Sequence, residues 1–327
     1  MDPTNLWIAI VALGAAVVNG AIGYGFSTIV TPIAVLWISN KVLNPALVTV
    51  ELLVNLTLLF RERAFIDTTR ARALPVILTL LPGVLLGTLG LTYLAVNDVK
   101  VAVYVVLLPL VAVQLLGFRR PLVNEQRGGA YLGPGIGFLY ALTTISGPPL
   151  AIFFRNQGLS QDEFRCTMAQ VRVAEASLTL TTYLLFTLFL GAGLVTAPSL
   201  GLTPYLLVPV LIGVPVGAWM MGRASRDVFS RIVMAIDGLV VSFGLSSVLL
   251  KLKWIGGAAT DLLFGALAAL VVSLAARSLY RLKADSRSTP QLTPRAPGEG
   301  ARAARTVAPG PRGAPSVSPP RRDNPDS

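Results

Sequence analysis

Histidine is absent from this 327-residue chain, and cysteine occurs once, at Cys166. Without histidine there is no Ser-His-Asp nucleophile, no His-ligated zinc and no imidazole proton shuttle. A single thiol can neither close an intrachain disulfide nor form a C-x-x-C metal or redox site. Charge is scarce as well: 13% of residues are Asp, Glu, Lys or Arg against 54% hydrophobic, and the mean hydropathy is +0.69. A chain of this length with so little charge is too apolar for a soluble domain and reads as an all-α polytopic membrane protein. The net charge of +11 does not point to nucleic acid, because seven of the 27 basic residues follow Lys283 and most others fall in short loops between apolar runs. That distribution is the cytoplasmic charge bias of membrane proteins. The start, Met1-Asp2-Pro3-Thr4-Asn5, lacks the basic segment of a signal peptide, so the first apolar run is expected to be retained. No metal or cofactor motif is read.

A helix needs about 20 apolar residues to cross a bilayer. Nine apolar runs are present: Leu6 to Leu36, Val42 to Phe60, Ala73 to Val96, Val99 to Phe118, Ala130 to Phe154, Phe164 to Leu190, Tyr205 to Gly222, Val228 to Leu250 and Ile255 to Tyr280. Two of them are interrupted, the first at Gly20-Ala21-Ile22-Gly23-Tyr24-Gly25-Phe26-Ser27 and the fifth at Thr143-Thr144-Ile145-Ser146-Gly147-Pro148-Pro149. Hydrocarbon cannot hydrogen-bond free backbone groups, so such breaks survive only inside protein or beside a polar cavity. Paired breaks in two halves of a chain are the sequence pointer to a transporter's substrate site.

If all nine runs crossed, the basic residues at 61–72 and at 223–231 would face opposite sides. Two re-entrant hairpins at the broken runs, with seven spans, remove that conflict. Arg61, Arg63, Arg70, Arg72, Arg119, Arg120, Arg127, Arg155, Arg165, Arg223, Arg226, Arg231, Arg277, Arg281, Lys283 and the tail then lie inside, and Lys41, Lys100, Lys251 and Lys253 outside. The N-terminus is expected outside and the C-terminus inside.

The sequence Gly83-Val84-Leu85-Leu86-Gly87, followed by Asp98-Val99, repeats as Gly213-Val214-Pro215-Val216-Gly217, followed by Asp227-Val228. With the paired breaks this reads as a duplication, each copy a broken segment plus three helices; an odd number of crossings inverts the second copy. The alternative is that glycines four apart serve close helix packing. The expected organisation is repeat 1 over 1–118, repeat 2 over 119–250, an added helix over 251–283 and a disordered basic Pro/Arg-rich tail over 284–327. Asp98 and Asp227 are expected to cap helices at the membrane surface.

A break leaves the following half-helix with unpaired N–H groups and a positive dipole end, which suits an anion. Gly23 and Gly25 with Ser27 and Thr28 form one such start. Thr144, Ser146, Gly147 and Pro148 form the other, where Ser146 can cap and Pro148 and Pro149 fit the first turn. The alternative is that glycine and proline merely kink packed helices. Ionisable residues within spans are Glu51, Arg172, Glu175 and Asp237, each costly at membrane depth. Arg172 and Glu175 share a helix face and could neutralise each other; otherwise Arg172 is a fixed charge for the anion, and Glu51 or Glu175 carries a coupled proton. Asn55 and Gln170 add polar groups, while Asp237 has no evident partner.

These residues carry a resemblance to the TauE/SafE sulfite exporter family. It rests on Gly23-x-Gly25 followed by Pro32, on Ala46-x-x-Thr49, and on Ser146-Gly147-Pro148-Pro149-Leu150 leading to Asn156-Gln157-Gly158-Leu159 and Phe164-Arg165, over about residues 5 to 250. The usual run of three glycines is broken here by Phe26 and Ser27, and Glu51 stands where a small or apolar residue is usual, so the substrate is not carried over. The resemblance implies a multi-pass transporter, an exporter, of sulfite, sulfonates or related small anions; the expected place is a bacterial plasma membrane, with the C-terminal tail cytoplasmic by the charge distribution. The lipid bilayer and a small anion are then the partners, nucleic acid is not, and the oligomeric state stays open, a homodimer included. An anion channel, a transporter of another organic anion or of a cation, and an intramembrane enzyme are the competing classes. The enzyme lacks any catalytic constellation, and a cation carrier would need more ligands than four isolated charges.

Overall fold

The computed structural model describes residues 3–116, 125–155, 157–221 and 226–288, and every regular element among them is helical. Helix α1 (Pro3–Ile22) stops at Gly23-Tyr24-Gly25, after which α2 (Phe26–Ala34) begins. Gly23 and Gly25 take φ of 93° and 109°, a region nearly closed to residues with a Cβ, and this turns the chain out of the helix. After α3 (Asn40–Arg61) come α4 (Ile66–Leu78) and α5 (Leu80–Tyr93), bent by 46° at Thr79. Pro82 accounts for the bend, since it has no N–H for the carbonyl of Leu78 and its ring crowds that oxygen. Helices α6 (Val96–Leu116) and α7 (Glu125–Thr143) lead to the second break, Thr144-Ile145-Ser146, and to α8 (Gly147–Arg155). The chain ends in α9 (Gln161–Leu190), α10 (Ala197–Met221), α11 (Arg226–Lys251) and α12 (Gly257–Ser288).

Three details differ from the sequence reading. Arg70 and Arg72 lie on α4 and not in a loop, since the helix starts at Ile66 with Asp67 in its first turn, where a carboxylate is favourable. The run from Ala73 to Val96 is two helices rather than one. Asp98 stands in the first turn of α6 rather than at its cap. Asp227 lies in the first turn of α11, but its side chain, that of Asp237 and the tail beyond Ser288 are outside the described residues, as is Asn156.

Helices α3, α6, α9, α10 and α12 are long and apolar enough to cross a bilayer, and the bent pair of α4 and α5 makes six. The seventh expected span, α11, offers the shorter apolar stretch Gly238–Lys251. The body Met1–Lys283 has an apolar core and also exposes large apolar side chains while burying charged ones. Leu78, Leu188, Phe189 and Leu262 are exposed, whereas Glu51, Arg172 and Glu175 are buried. Lipid is the solvent that favours this arrangement.

The chain doubles back at both breaks. Trp7, Ile8 and Val11 of α1 share one cavity of about 430 Å³ with Ile33 of α2 and Trp37 beyond it. A straight helix would hold Trp7 and Trp37 about 45 Å apart at about 1.5 Å per residue. In the second segment, a Cβ added to Gly129 of α7 would lie 3.6 Å from Cζ of Phe153 in α8. The returning arms α2 and α8 have nine residues each. At about 13 Å each covers less than half of a core about 30 Å thick.

Packing joins the two halves in matched pairs: α1 runs along α10, α7 along α5, α3 against α9 and α6 against α11. The repeated glycines sit in the first two contacts. A Cβ on Gly83 would lie 1.9 Å from the carbonyl oxygen of Pro134 in α7, and one on Gly217 would lie 1.9 Å from that of Val17 in α1. Backbone touches backbone there, so the motif is a close-packing device in each half. At one end of this body Lys41 Nζ donates to the carbonyl of Thr92 at 2.7 Å, which sets the start of α3 beside the end of α5. Arg61 closes α3 about 30 Å away.

Candidate functional site

The two breaks meet in the middle of the body. Thr31, late in α2, is hydrogen-bonded through Oγ1 to Oγ1 of Thr144 in the second break at 3.0 Å. Tyr24, in the first break, packs its ring near both ends of α8: a Cβ on Gly147 would lie 3.2 Å from Tyr24 Cδ2, and the Arg155 guanidinium stands 5.9 Å from the ring centre. Tyr24, just before α2, and Thr31, late in α2, thus both lie against the residues that lead into α8.

A helix that stops in a dry core leaves carbonyls without partners, and each must find a donor. At the end of α7, Asn44 Nδ2 of α3 donates to the carbonyl of Leu142 at 2.8 Å and the Tyr183 hydroxyl of α9 donates to that of Ala141. At the end of α1, Arg165 Nη2 of α9 donates to the carbonyl of Ala21 at 3.2 Å. Tyr104 of α6 serves Pro32 at the end of α2, at 2.6 Å. Thr144 adopts φ of 62°, unusual for a β-branched residue, and costs roughly 1–3 kcal/mol of backbone strain. Its hydroxyl offsets part of that by bonding Thr143 O at 2.6 Å as well as Thr31.

Between the breaks lies a polar core. Arg172 Nη2 of α9 pairs with Glu51 Oε1 of α3 at 2.7 Å, with side chains 4% and 2% exposed. The Tyr140 hydroxyl of α7 donates to Glu51 Oε2 at 2.8 Å. The Ser146 hydroxyl donates to Glu175 Oε2 of α9 at 2.7 Å. A Cβ on Gly147 would lie 3.1 Å from Arg172 Nη1, so this glycine lets the guanidinium reach the start of α8. The core holds two carboxylates and one guanidinium, all buried.

Several sequence expectations change here. Arg172 pairs across helices with Glu51 and not with Glu175 on its own helix. Ser146 donates its hydroxyl to Glu175, and Pro148 and Pro149 offer no N–H for its oxygen to cap. Asn55 Nδ2 bonds the backbone oxygen of Glu51 at 2.7 Å, and Gln170 turns away to Thr69 Oγ1 at 2.6 Å. The two half-helix starts also differ in donors. Pro148 and Pro149 lack N–H groups and Leu150 N bonds Ser146 O, which leaves the N–H of Gly147 as the backbone donor there. Phe26, Ser27 and Thr28 keep their N–H groups at the start of α2, where the side chains of Ser27 and Thr28 are buried and Gly23 stands against Arg165. Sequence reasoning missed Tyr140, Tyr183, Asn44 and Arg165 as parts of the site. Buried tyrosines on apolar helices carry no periodic signal, and only their carbonyl or carboxylate partners reveal them.

The arrangement can hold an anion on Arg172, the hydroxyls of Thr144 and Ser146 and the free amides of the half-helix starts, once Glu51 and Glu175 yield. No metal-binding group of three or more Asp, Glu or Cys residues occurs among the described residues. No curated protein and no solved structure matches the chain. The model of the family described as Sulfite exporter TauE/SafE matches residues 8–245, so the chain belongs to the TauE/SafE sulfite exporter family.

Proposed function

We propose that this chain is a secondary transporter of a small oxyanion, sulfite or an organosulfonate, and that it works as an exporter in the plasma membrane of a bacterium. No catalytic role is proposed. The observation that carries this reading is the buried guanidinium of Arg172 set against Gly147 at the start of α8. A fixed positive charge meets a half-helix start there in a core closed to solvent, with the buried hydroxyls of Thr144 and Ser146 in the residues just before it. Gly23, Gly25, Ser27, Thr28, Thr144, Ser146, Gly147, Pro148 and Arg172 form the binding surface.

The two broken segments are re-entrant hairpins of an inverted repeat that enter from opposite faces. The meeting of the two breaks and the cross-half pairing of α1 with α10 and α7 with α5 support this. Rocking of one repeat against the other would open the core to each side in turn. The closed core favours a carrier over a channel. Labelled sulfite and methanesulfonate flux in proteoliposomes tests the reading: saturable flux with counterflow is expected, and flux that rises linearly without counterflow would make the protein a channel. Arg172→Gln is expected to raise KM by at least about tenfold, the loss of one charge-assisted contact.

A further inference from the structure

Of the two carboxylates expected to carry a coupled proton, the surroundings differ. Glu51 has both oxygens engaged, one by Arg172 at 2.7 Å and one by Tyr140 at 2.8 Å. Glu175 is fully buried and uses only Oε2, which accepts from Ser146; its Oε1 has no partner among the described residues. One turn further on α9, Thr179 is also fully buried and its Oγ1 is also without a partner. That is exceptional on this helix. Thr167, Thr181, Thr182 and Thr187 each return their hydroxyl to the carbonyl four residues back, the default for threonine in an apolar helix. Thr179 forgoes that bond, so two unpaired oxygens stand on neighbouring turns of one helix face.

We infer that Glu175 is the binding site of a coupled proton, with Thr179 as the acceptor for the protonated carboxyl, and that the proton travels in the same direction as the anion. The inference rests on the anion-site reading above. An ionised carboxylate beside the start of α8 holds the Ser146 hydroxyl and repels the substrate from the donors it needs. A proton on Oε1 converts that oxygen into a donor for Thr179, cancels the repulsion and frees Ser146 to turn to the anion. Every charged or titratable group facing Glu175 among the described residues enters this balance: Arg172 on the same helix, Glu51 on α3 and Tyr140 on α7. Arg172 and Glu51 neutralise each other, so the charge of the core is set by Glu175. Proton and anion therefore bind with positive coupling, and coupling of that sign is reciprocal.

The test uses the full chain in proteoliposomes with methanesulfonate, whose own charge is constant over the pH range, and an internal pH dye. In the parent protein KM should fall as the pH is lowered, by up to about tenfold per pH unit for one linked proton, and level off once Glu175 is protonated without the anion, and inward anion flux should acidify the lumen. In Glu175→Gln the remaining flux should carry no protons and KM should be flat with pH; Thr179→Val should shift the profile. Proton flux that persists in Glu175→Gln, or alkalinisation during inward anion flux, overturns the inference. If the parent protein moves neither sulfite nor methanesulfonate, the anion reading fails instead, and infrared difference spectra then decide the site. A protonated carboxyl band upon acidification that is lost in Glu175→Gln upholds proton binding there, and its absence in the parent protein refutes it.

Discussion

Glu51 and Arg172 occupy the same register in the two halves of the chain, 121 residues apart, and their side chains meet at 2.7 Å. The same offset relates α2 to α8 and the starts of α3 and α9. It also relates Asn44 to Arg165 and their acceptors, Leu142 to Ala21, so each half supplies the side chain that closes the broken helix of the other. Two positions related by that offset carry opposite charges that neutralise each other.

Because that pair is desolvated, removing one partner strands the other. Glu51→Ala or Arg172→Ala is expected to lower the unfolding free energy by about 3–5 kcal/mol, whereas Glu51→Leu with Arg172→Met should recover most of that loss yet remain inactive. Thermal unfolding in detergent beside anion flux separates the two effects.

Close approach of α1 and α10 leaves no room at Gly217. Gly217→Ala should cost about 1–3 kcal/mol by overpacking, while Gly14→Ala, which meets nothing within 4 Å, should be silent. Melting temperatures of the two variants provide the comparison.

The contact between Thr31 and Thr144 ties the returning arm of one hairpin to the break of the other. In a Cys166→Ser background, Thr31→Cys with Thr144→Cys should cross-link on oxidation, since the present oxygens lie 3.0 Å apart. Flux should stop when the bond forms and return on reduction. A cross-linked protein that still transports would show that the breaks need not part.

Lys41 begins α3 and Arg63 follows its end, with about 30 Å of helix between. Single cysteines at these positions, again without Cys166, should react with impermeant thiol reagents from opposite sides of the membrane. Labelling of both from one side would remove the topology and with it the inverted repeat.

Much of this was legible in the residues. Both breaks fall where glycine and proline placed them, because those residues change backbone geometry locally and need no tertiary partner to do so. The apolar runs became helices, except where Pro82 divided one. The duplicated glycine motif was visible as well, although its use as a contact surface was only one of two readings. What escaped was the pairing of charges: a spacing of three on α9 favoured Arg172 with Glu175, and nothing local announced that Glu51 would lie closer.

The sequence alone determined that the chain is helical, at home in lipid and broken at two matched points, since hydropathy, proline and glycine act over a few residues. Only the tertiary structure decided which orphaned carbonyl meets which donor, which carboxylate holds Arg172 and which keeps a free oxygen. Those choices depend on side chains from helices about a hundred residues apart meeting at a few ångströms, and in a core without water each unmatched polar atom carries a free-energy cost that only its neighbours can relieve.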